Sequence, residues 1–143
     1  MKVKQISVFL ENKSGRLAGV TKALGDNNIS IRALSIADTT DFGILRLIVS
    51  DPEKAVTILK AEDFTVSETS IIAVQIPDQP GGLAGILQIL DSSGINIEYM
   101  YAFVGKSGAN AVVVFRVENI DRAITLLQQK RIALLSGAQI YAF

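Results

Sequence analysis

The chain has 143 residues, of which 49% are apolar and 20% charged, and its 14 basic side chains balance 14 acidic ones. It contains no His, Cys or Trp. The neutral balance argues against binding to nucleic acid, which needs a basic stripe. The missing residue types exclude thiolate chemistry, sulfur-ligated zinc and the commonest general base. We therefore expect a protein that is not an enzyme, with no metal and no cofactor.

The first half of the chain predicts one order of strands and helices. Ile6, Val8 and Leu10 alternate as in a half-buried strand. Leu17 and Leu24 belong to an apolar stripe at helical spacing. The predicted elements are strand Val3–Leu10, helix Gly15–Asp26, strand Ile29–Ala37, strand Phe42–Val49, a helix that begins at Asp51-Pro52-Glu53, and strand Phe64–Thr69.

The second half repeats the first. Ser14–Val20 and Pro80–Ile86 share four identical residues at an offset of 66, and the segment after Asp51 matches the segment after Asn119 at an offset of 68. The corresponding predicted elements are strand Ile71–Ile76, helix Gly81–Ser93, strands Ile97–Val104 and Ala109–Val117, helix Ile120–Lys130 and strand Gln139–Phe143.

The repeated order is βαββαβ, which predicts an α+β protein of two ferredoxin-like units in tandem. Each unit is expected to be an antiparallel sheet with helices on one face. The expected domains are residues 1–69 and 70–143, joined at Ser67–Ser70 without a flexible linker.

Both faces of the predicted sheets are apolar. Ile44 and Ile48 alternate with Leu45 and Leu47 along one strand, and Tyr99, Tyr101 and Phe103 alternate with Met100 and Val104 along another. Helices cover one face of such a sheet, and the other is usually polar. We therefore predict that the second face or a sheet edge is buried in a homo-oligomer, most simply a dimer.

Three short motifs carry less information. Asp41–Leu45 has a superficial likeness to the central strand of RNA-recognition domains, but lacks the basic residue and the aromatic positions of that motif. Gly105-Lys106-Ser107 lacks the spacing of a phosphate loop and is interpreted as a hairpin turn. No apolar stretch is long enough to cross a membrane, and the N-terminus lacks a signal-peptide pattern, so a cytoplasmic protein is expected.

The turn between the first strand and first helix of each copy is the candidate binding site. A Gly before a helix permits a tight turn and lets a ligand approach the backbone. The helix N-terminus then offers unpaired N–H groups to a carboxylate. Asp78, or Asn12 in the first copy, could accept hydrogen bonds from an ammonium group, so the turn suits a zwitterionic amino acid. The alternative is that Asp78 and Asn12 only cap their helices.

At this turn the sequence resembles the ACT domain, a small regulatory module of amino-acid metabolism. The resemblance rests on Asp78-x-Pro80-Gly81-Gly82-Leu83 followed by Gly94–Ile97, with a looser match at Asn12–Leu17 and Asn28–Ile31. It implies that an amino acid binds between ACT units, at the turn of one unit and the start of the second strand of its neighbour. The implied site residues are Asn12, Lys13, Ser14, Gly15, Arg16, Leu17, Ser30 and Ile31 in the first copy, and Asp78, Gln79, Pro80, Gly81, Gly82, Leu83, Ala84, Asn96 and Ile97 in the second.

Asp78 and Pro80 fit the family pattern better than Asn12 and Ser14, so the second turn is expected to be the better site. Because the chain carries only the two units, we expect it to act on a separate enzyme of amino-acid metabolism. The main alternative is a structural or partner-binding subunit whose ligand sites are vestigial. A small enzyme that uses Lys, Tyr or carboxylates is a weaker hypothesis.

Overall fold

In a computed structural model of the chain, the structure describes residues 1–11, 13–38, 41–107 and 110–143. The strands are β1 (Val3–Glu11), β2 (Ile31–Asp38), β3 (Phe42–Val49), β4 (Thr65–Pro77), β5 (Ile97–Ser107), β6 (Asn110–Val117) and β7 (Leu134–Leu135). The helices are α1 (Arg16–Asp26), α2 (Pro52–Ala61), α3 (Gly82–Ser92), α4 (Ile120–Gln129) and α5 (Gly137–Tyr141).

The chain divides into two compact units. The first unit contains Lys4–Thr69 together with Tyr141–Phe143, and the second contains Met1–Val3 together with Ser70–Ile140. The strand order is β4-β1-β3-β2 in the first unit and β7-β4-β6-β5 in the second. Both orders are those of a ferredoxin-like sheet, and they confirm the predicted fold.

Each unit has its own apolar core between its helices and one face of its sheet. In the first unit, Ile6, Val8 and Leu10 of β1 pack with Val20 and Leu24 of α1. In the second unit, strand residues around Phe115 pack with Ile86 and Leu90 of α3 and with Ala123 and Leu127 of α4. In the first unit, the alternation along the strand and the helical spacing predicted these core positions.

The two copies also share unusual backbone conformations. Three pairs of corresponding residues have positive φ: Gly15 and Gly81 at 88° and 85°, Asn28 and Gly94 at 60° and 68°, and Asp63 and Arg131 at 65° and 57°. The last pair is notable because side chains other than Gly seldom occupy this region. The duplication therefore preserves backbone geometry even where the side chains differ.

Two predicted boundaries are wrong. A single strand of 13 residues, β4, replaces the two strands that were expected to meet at Ser67–Ser70. The expected hairpin turn at Gly105–Ser107 lies instead within β5, where Lys106 is opposite Ala111 and Ser107 is opposite Asn110.

The expected final strand Gln139–Phe143 is also wrong, because most of this segment forms α5. The backbone N–H of Gln139 donates to Ser136 Oγ at 3.2 Å, and the backbone N–H of Ser136 donates to Gln139 Oε1 at 2.8 Å. This reciprocal pair is a capping box, which favours a helix over a strand. The last strand is the short β7, whose Leu134 and Leu135 pair with Val74 and Ala73.

The face of each sheet away from its helices carries buried apolar residues, and in the first unit it also carries exposed ones, which include Phe9 and Phe42. Ile48, Ile71, Ala73 and Val112 are fully buried, and Val114 is 1% exposed. The exposed apolar side chains include Leu34 and Ile36 on the edge strand β2, each 42% exposed. No helix in the described part of the chain is long and apolar enough to cross a membrane.

Candidate functional site

The first turn joins the end of β1 at Glu11 to the start of α1 at Arg16. Gly15 is the N-cap of α1 and has a φ of 88°, which Gly adopts without steric cost. The Arg16 amide donates to Lys13 O at 3.4 Å, and the Gly19 amide donates to Gly15 O at 2.9 Å. The amides of Leu17 and Ala18 have no acceptor among the residues that the structure describes.

The second turn has the same backbone. Gly81 is the N-cap of α3 with a φ of 85°. The Gly82 amide donates to Gln79 O at 3.0 Å, and the Gly85 amide donates to Gly81 O at 3.0 Å. Within the described ranges, the amides of Leu83 and Ala84 also have no acceptor. Each turn therefore presents two neighbouring N–H groups at the positive end of a helix, where a carboxylate binds favourably.

The starts of the other two long helices are capped by side chains. Asp51 Oδ1 accepts a hydrogen bond from the Lys54 amide at 3.2 Å, and Asn119 Oδ1 accepts one from the Arg122 amide at 3.1 Å. At α3 the N-cap residue is Gly81, which has no side-chain cap hydrogen bond, and a capping role for Asp78 stays a prediction. Asn12, the other proposed cap, lies outside the described residues.

Charged side chains surround the first turn. Lys13 Nζ lies 2.8 Å from Glu11 Oε2, and Arg16 Nη2 lies 3.8 Å from Glu11 Oε1. The hydrogen bond from Lys13, together with the positive charges of Lys13 and Arg16, lowers the pKa of Glu11 below its ordinary value of 4.5. Glu11 is therefore ionised at neutral pH; it accepts a hydrogen bond from Lys13, whereas Arg16 acts on it through its charge alone.

The second turn lies close against the end of its strand. A Cβ atom added at Gly82 would lie 2.1 Å from Pro77 O and 3.2 Å from Ile76 Cγ2, so only Gly fits there. The corresponding residue in the first copy is Arg16, and Pro77 corresponds to Glu11. The second turn therefore has no counterpart of the pair formed by Glu11 and Arg16. Its charged residue is the exposed Asp78.

Two clefts adjoin the first turn and share Leu10, Glu11 and Arg16. One has a volume of about 160 Å³ and is completed by Lys13, Leu17, Ile36 and Gly43. The other has a volume of about 150 Å³ and is completed by Phe9, Phe42, Asp63, Phe64 and Thr65. Glu11, Ile36 and Gly43 were not predicted as site residues. Glu11 directly precedes the turn in sequence, whereas Ile36 and Gly43 are placed beside it only by the register of β2 and β3.

The predicted residues at the start of the second strand lie at the opposite end of the sheet from the turn. Ile31 is opposite Val49, whereas Asp38 is opposite Gly43, next to the partner of Glu11. The 8 residues of β2 span roughly 23 Å. Within the first unit the structure therefore does not bring Ser30 and Ile31 to Lys13–Leu17.

The second unit has the same geometry. Asn96 and Ile97 lie at the start of β5, where Ile97 is opposite Val117 and Asn96 Nδ2 donates to Glu118 Oε1 at 3.3 Å. Ser30 is held similarly, because its amide donates to Ser50 Oγ at 2.9 Å. Among the described residues, no group of three or more acidic side chains is placed to hold a metal ion.

Comparisons with known proteins identify the wider family. The family model for the ACT domain pair matches residues 1–142. The crystal structure of protein BT0572 from Bacteroides thetaiotaomicron is 46% identical, with a TM-score of 0.95 over 100% of this chain and 98% of that one. A comparison with curated proteins finds no match.

More distant structures share the fold. The ligand-free regulatory subunit of aspartate kinase from Thermus thermophilus is 19% identical, with a TM-score of 0.63 over 88% of this chain and 91% of that one. The regulatory subunit of aspartate kinase from Thermus flavus is 17% identical, with a TM-score of 0.59 over 88% of this chain and 90% of that one.

Proposed function

Because the chain belongs to the family of ACT domain pairs, we propose that it is a non-catalytic regulatory protein that binds an amino acid at its strand–helix turns. The observation that carries this proposal is the pair of uncapped amides at each turn, Leu17 with Ala18 and Leu83 with Ala84. Among the residues that the structure describes, side chains cap α2 and α4, whereas the N-cap positions of α1 and α3 are glycines without a side-chain cap. The two uncapped starts are the two positions at which the family resemblance places a ligand.

The charges beside the second turn suit a zwitterion. The ligand carboxylate would accept hydrogen bonds from the amides of Leu83 and Ala84, because the first N–H groups of a helix project outwards from its N-terminal end. The ligand ammonium group would donate to Asp78, which is exposed in the same turn. Gln79, Pro80 and Gly81 would form the wall of the site. We retain the second turn as the better site for a small amino acid because it offers the acidic side chain.

The start of the second strand reaches the turn only from another unit, and a second copy of the chain can supply it. The edge strand β2 has one unpaired side. Antiparallel pairing of β2 with β2 of a second copy, along the full strand, places Ile31 of one copy opposite Asp38 of the other. That position adjoins the first turn. The exposed Leu34 and Ile36 would be buried by this pairing, which supports a homodimer.

The target would be a separate enzyme of amino-acid metabolism. Structures with the same fold include regulatory subunits of aspartate kinase, which supports a regulatory subunit as the form of this protein. Affinities from micromolar to millimolar correspond to about −8 to −4 kcal/mol. Differential binding of about 1–3 kcal/mol between two states of a target is sufficient for regulation.

Calorimetric titration with the twenty standard amino acids tests the proposal. We expect at least one saturable ligand whose affinity falls about tenfold or more in Asp78→Ala, because the ammonium group loses a charged acceptor. Asp91→Ala is the matched control, since Asp91 is an exposed carboxylate at the far end of the same helix. Binding of none of the twenty by folded protein would instead favour a partner-binding subunit with vestigial sites.

A further inference from the structure

Two aromatic rings are exposed on the sheet of the first unit. Phe9 is 49% exposed and Phe42 is 43% exposed, and their ring centroids lie 5.3 Å apart with an interplanar angle of 42°. The register places Phe9 opposite Ile44 and Phe42 opposite Glu11, so both rings lie on the face away from the helices. They occupy the end of the sheet that adjoins the first turn.

The second unit shows that the fold does not require these rings. The corresponding residues there are Gln75 for Phe9, by the offset of 66, and Asn110 for Phe42, by the offset of 68. Pro77 is opposite Asn110 just as Glu11 is opposite Phe42, which confirms the correspondence. An equivalent sheet thus forms with amide side chains at both positions. The aromatic pair is therefore a property of the first unit and not of the scaffold.

The rings line the cleft of about 150 Å³ beside the first turn. A cavity of this size holds one benzene ring. The polar groups that line the cleft are the carboxylates of Glu11 and Asp63, the guanidinium group of Arg16 and the hydroxyl of Thr65. None of the three charged groups is conserved in the other copy, where Pro77, Arg131 and Gly82 take their places.

From this arrangement we propose that the cleft of the first unit binds an aromatic amino acid. The ligand ring packs on Phe9 and Phe42, with the offset or edge-to-face geometry that aromatic rings prefer. Its carboxylate binds Arg16, which retains free donors because its nearest approach to Glu11 is 3.8 Å. Its ammonium group binds Asp63, whose carboxylate has no partner in the described part of the chain.

The charges favour an amino acid over a nucleotide. Bases also stack on exposed rings of a βαββαβ sheet. A nucleotide, however, places its phosphate beside Glu11 and Asp63, and among the described residues that line this cleft Arg16 is the only cation. A zwitterion matches the mixed charges without such repulsion. The inference rests on the proposed function in one respect, because it takes an amino acid as the class of ligand.

The absence of Trp from the chain provides a direct test. Free L-tryptophan, excited at the red edge of its absorption, emits without interference from the protein. We expect titration with the full chain to give a saturable shift of this emission. Phe42→Leu and Phe9→Leu are expected to weaken binding roughly threefold to tenfold each, because Leu keeps the apolar volume and removes the ring.

Phe143→Leu is the matched control, since Phe143 is a ring 40% exposed that does not line the cleft. Arg16→Gln is expected to weaken tryptophan more than indole, which has no carboxylate. Circular dichroism and sedimentation of each variant establish that the fold and the oligomeric state are retained.

The outcomes separate this inference from the proposed function. Weaker tryptophan binding in Phe42→Leu but not in Asp78→Ala supports the aromatic site. A non-aromatic ligand that depends on Asp78, with no tryptophan binding, retains the proposed function and overturns this inference. Tryptophan binding that is equal in Phe42→Leu and wild type also overturns it. Binding of adenosine monophosphate that is as tight as that of tryptophan and equally sensitive to Phe42→Leu also overturns it. So does a result in which Phe42→Leu changes only the self-association of the protein.

Discussion

The first and second turns have nearly identical backbones, since φ is 88° at Gly15 and 85° at Gly81. Their side chains differ at most positions that a ligand could contact. The first turn has an ion-paired Glu11 and the adjoining aromatic rings. The second has Gly82 pressed against Pro77 O and an exposed Asp78.

This difference shows which features of a duplicated protein are shared by both copies and which vary between them. Core residues and residues with positive φ are constrained in both copies, because cavities and left-handed conformations cost free energy wherever they occur. The surface around the turn is free of that constraint, so its side chains can differ between the two copies.

Gly82→Ala should destabilise the protein by about 3 kcal/mol, because the new Cβ meets the backbone oxygen of Pro77. Urea unfolding measures the change. Gly85→Ala, in the same helix, is the control, because a Cβ there meets nothing within 4 Å and should be neutral or slightly stabilising. Equal stability of Gly82→Ala and wild type would show that the second turn is not closed against its strand.

Leu34→Lys should weaken a dimer formed through β2 by about 2 kcal/mol, or roughly thirtyfold in Kd, because it places a charge where an apolar side chain is buried. Sedimentation over a series of concentrations measures the dissociation constant. Met100→Lys is the matched control, because Met100 occupies the same register position on β5, opposite Phe115 as Leu34 is opposite Leu47. A larger effect of Met100→Lys would place the dimer contact on the second unit.

Gly15→Ala and Gly81→Ala should each cost about 1 kcal/mol, because both positions have positive φ and open space around the missing Cβ. Thermal or urea unfolding of the two variants checks the prediction. Their equality is the informative result, since it follows from the shared backbone alone. A difference of more than 1 kcal/mol would show that the two turns are held differently.

Glu11 should titrate below pH 4.5, as measured by NMR of its side-chain carboxyl. Because the pKa of Glu11 is lower in the folded than in the unfolded protein, its pairing with Lys13 stabilises the fold at a pH above the unfolded-state pKa. This stabilisation is lost as the pH falls through the folded-state pKa. Lys13→Met should move the midpoint back towards 4.5, because it removes the largest cause of the shift. An unchanged midpoint in Lys13→Met would contradict the ion pair. Pro77 offers no such group in the second copy.

Much of the fold could be predicted from local patterns. The alternation of Ile6, Val8 and Leu10 located a strand, and Asp51-Pro52 located a helix start, because both signals arise from neighbouring residues. The final segment was mispredicted as a strand, although Ser136 and Gln139 have the spacing of a capping box. The continuous β4 was missed because nothing in a polar stretch such as Ser67–Ser70 distinguishes a solvated strand from a turn.

The candidate site was predicted only in part. The turns were located, because Gly before a helix has a local conformational meaning. Ile36 and Gly43 were missed, since only pairing of β2 with β3 brings them beside Glu11. The ring pair was missed for a similar reason, because Phe9 and Phe42 are far apart in sequence and meet across two strands.

The sequence by itself determined the duplication, the order of elements and the position of the two turns, because each follows from spacing over a few residues. Only the tertiary structure decided which apolar residues are already buried, which helix starts lack a cap and which side chains line each cleft. Those properties depend on strand register and on contacts between distant segments. The exposed side chains of Leu34 and Ile36 on β2, and the ring pair of Phe9 and Phe42, came to light in the same way.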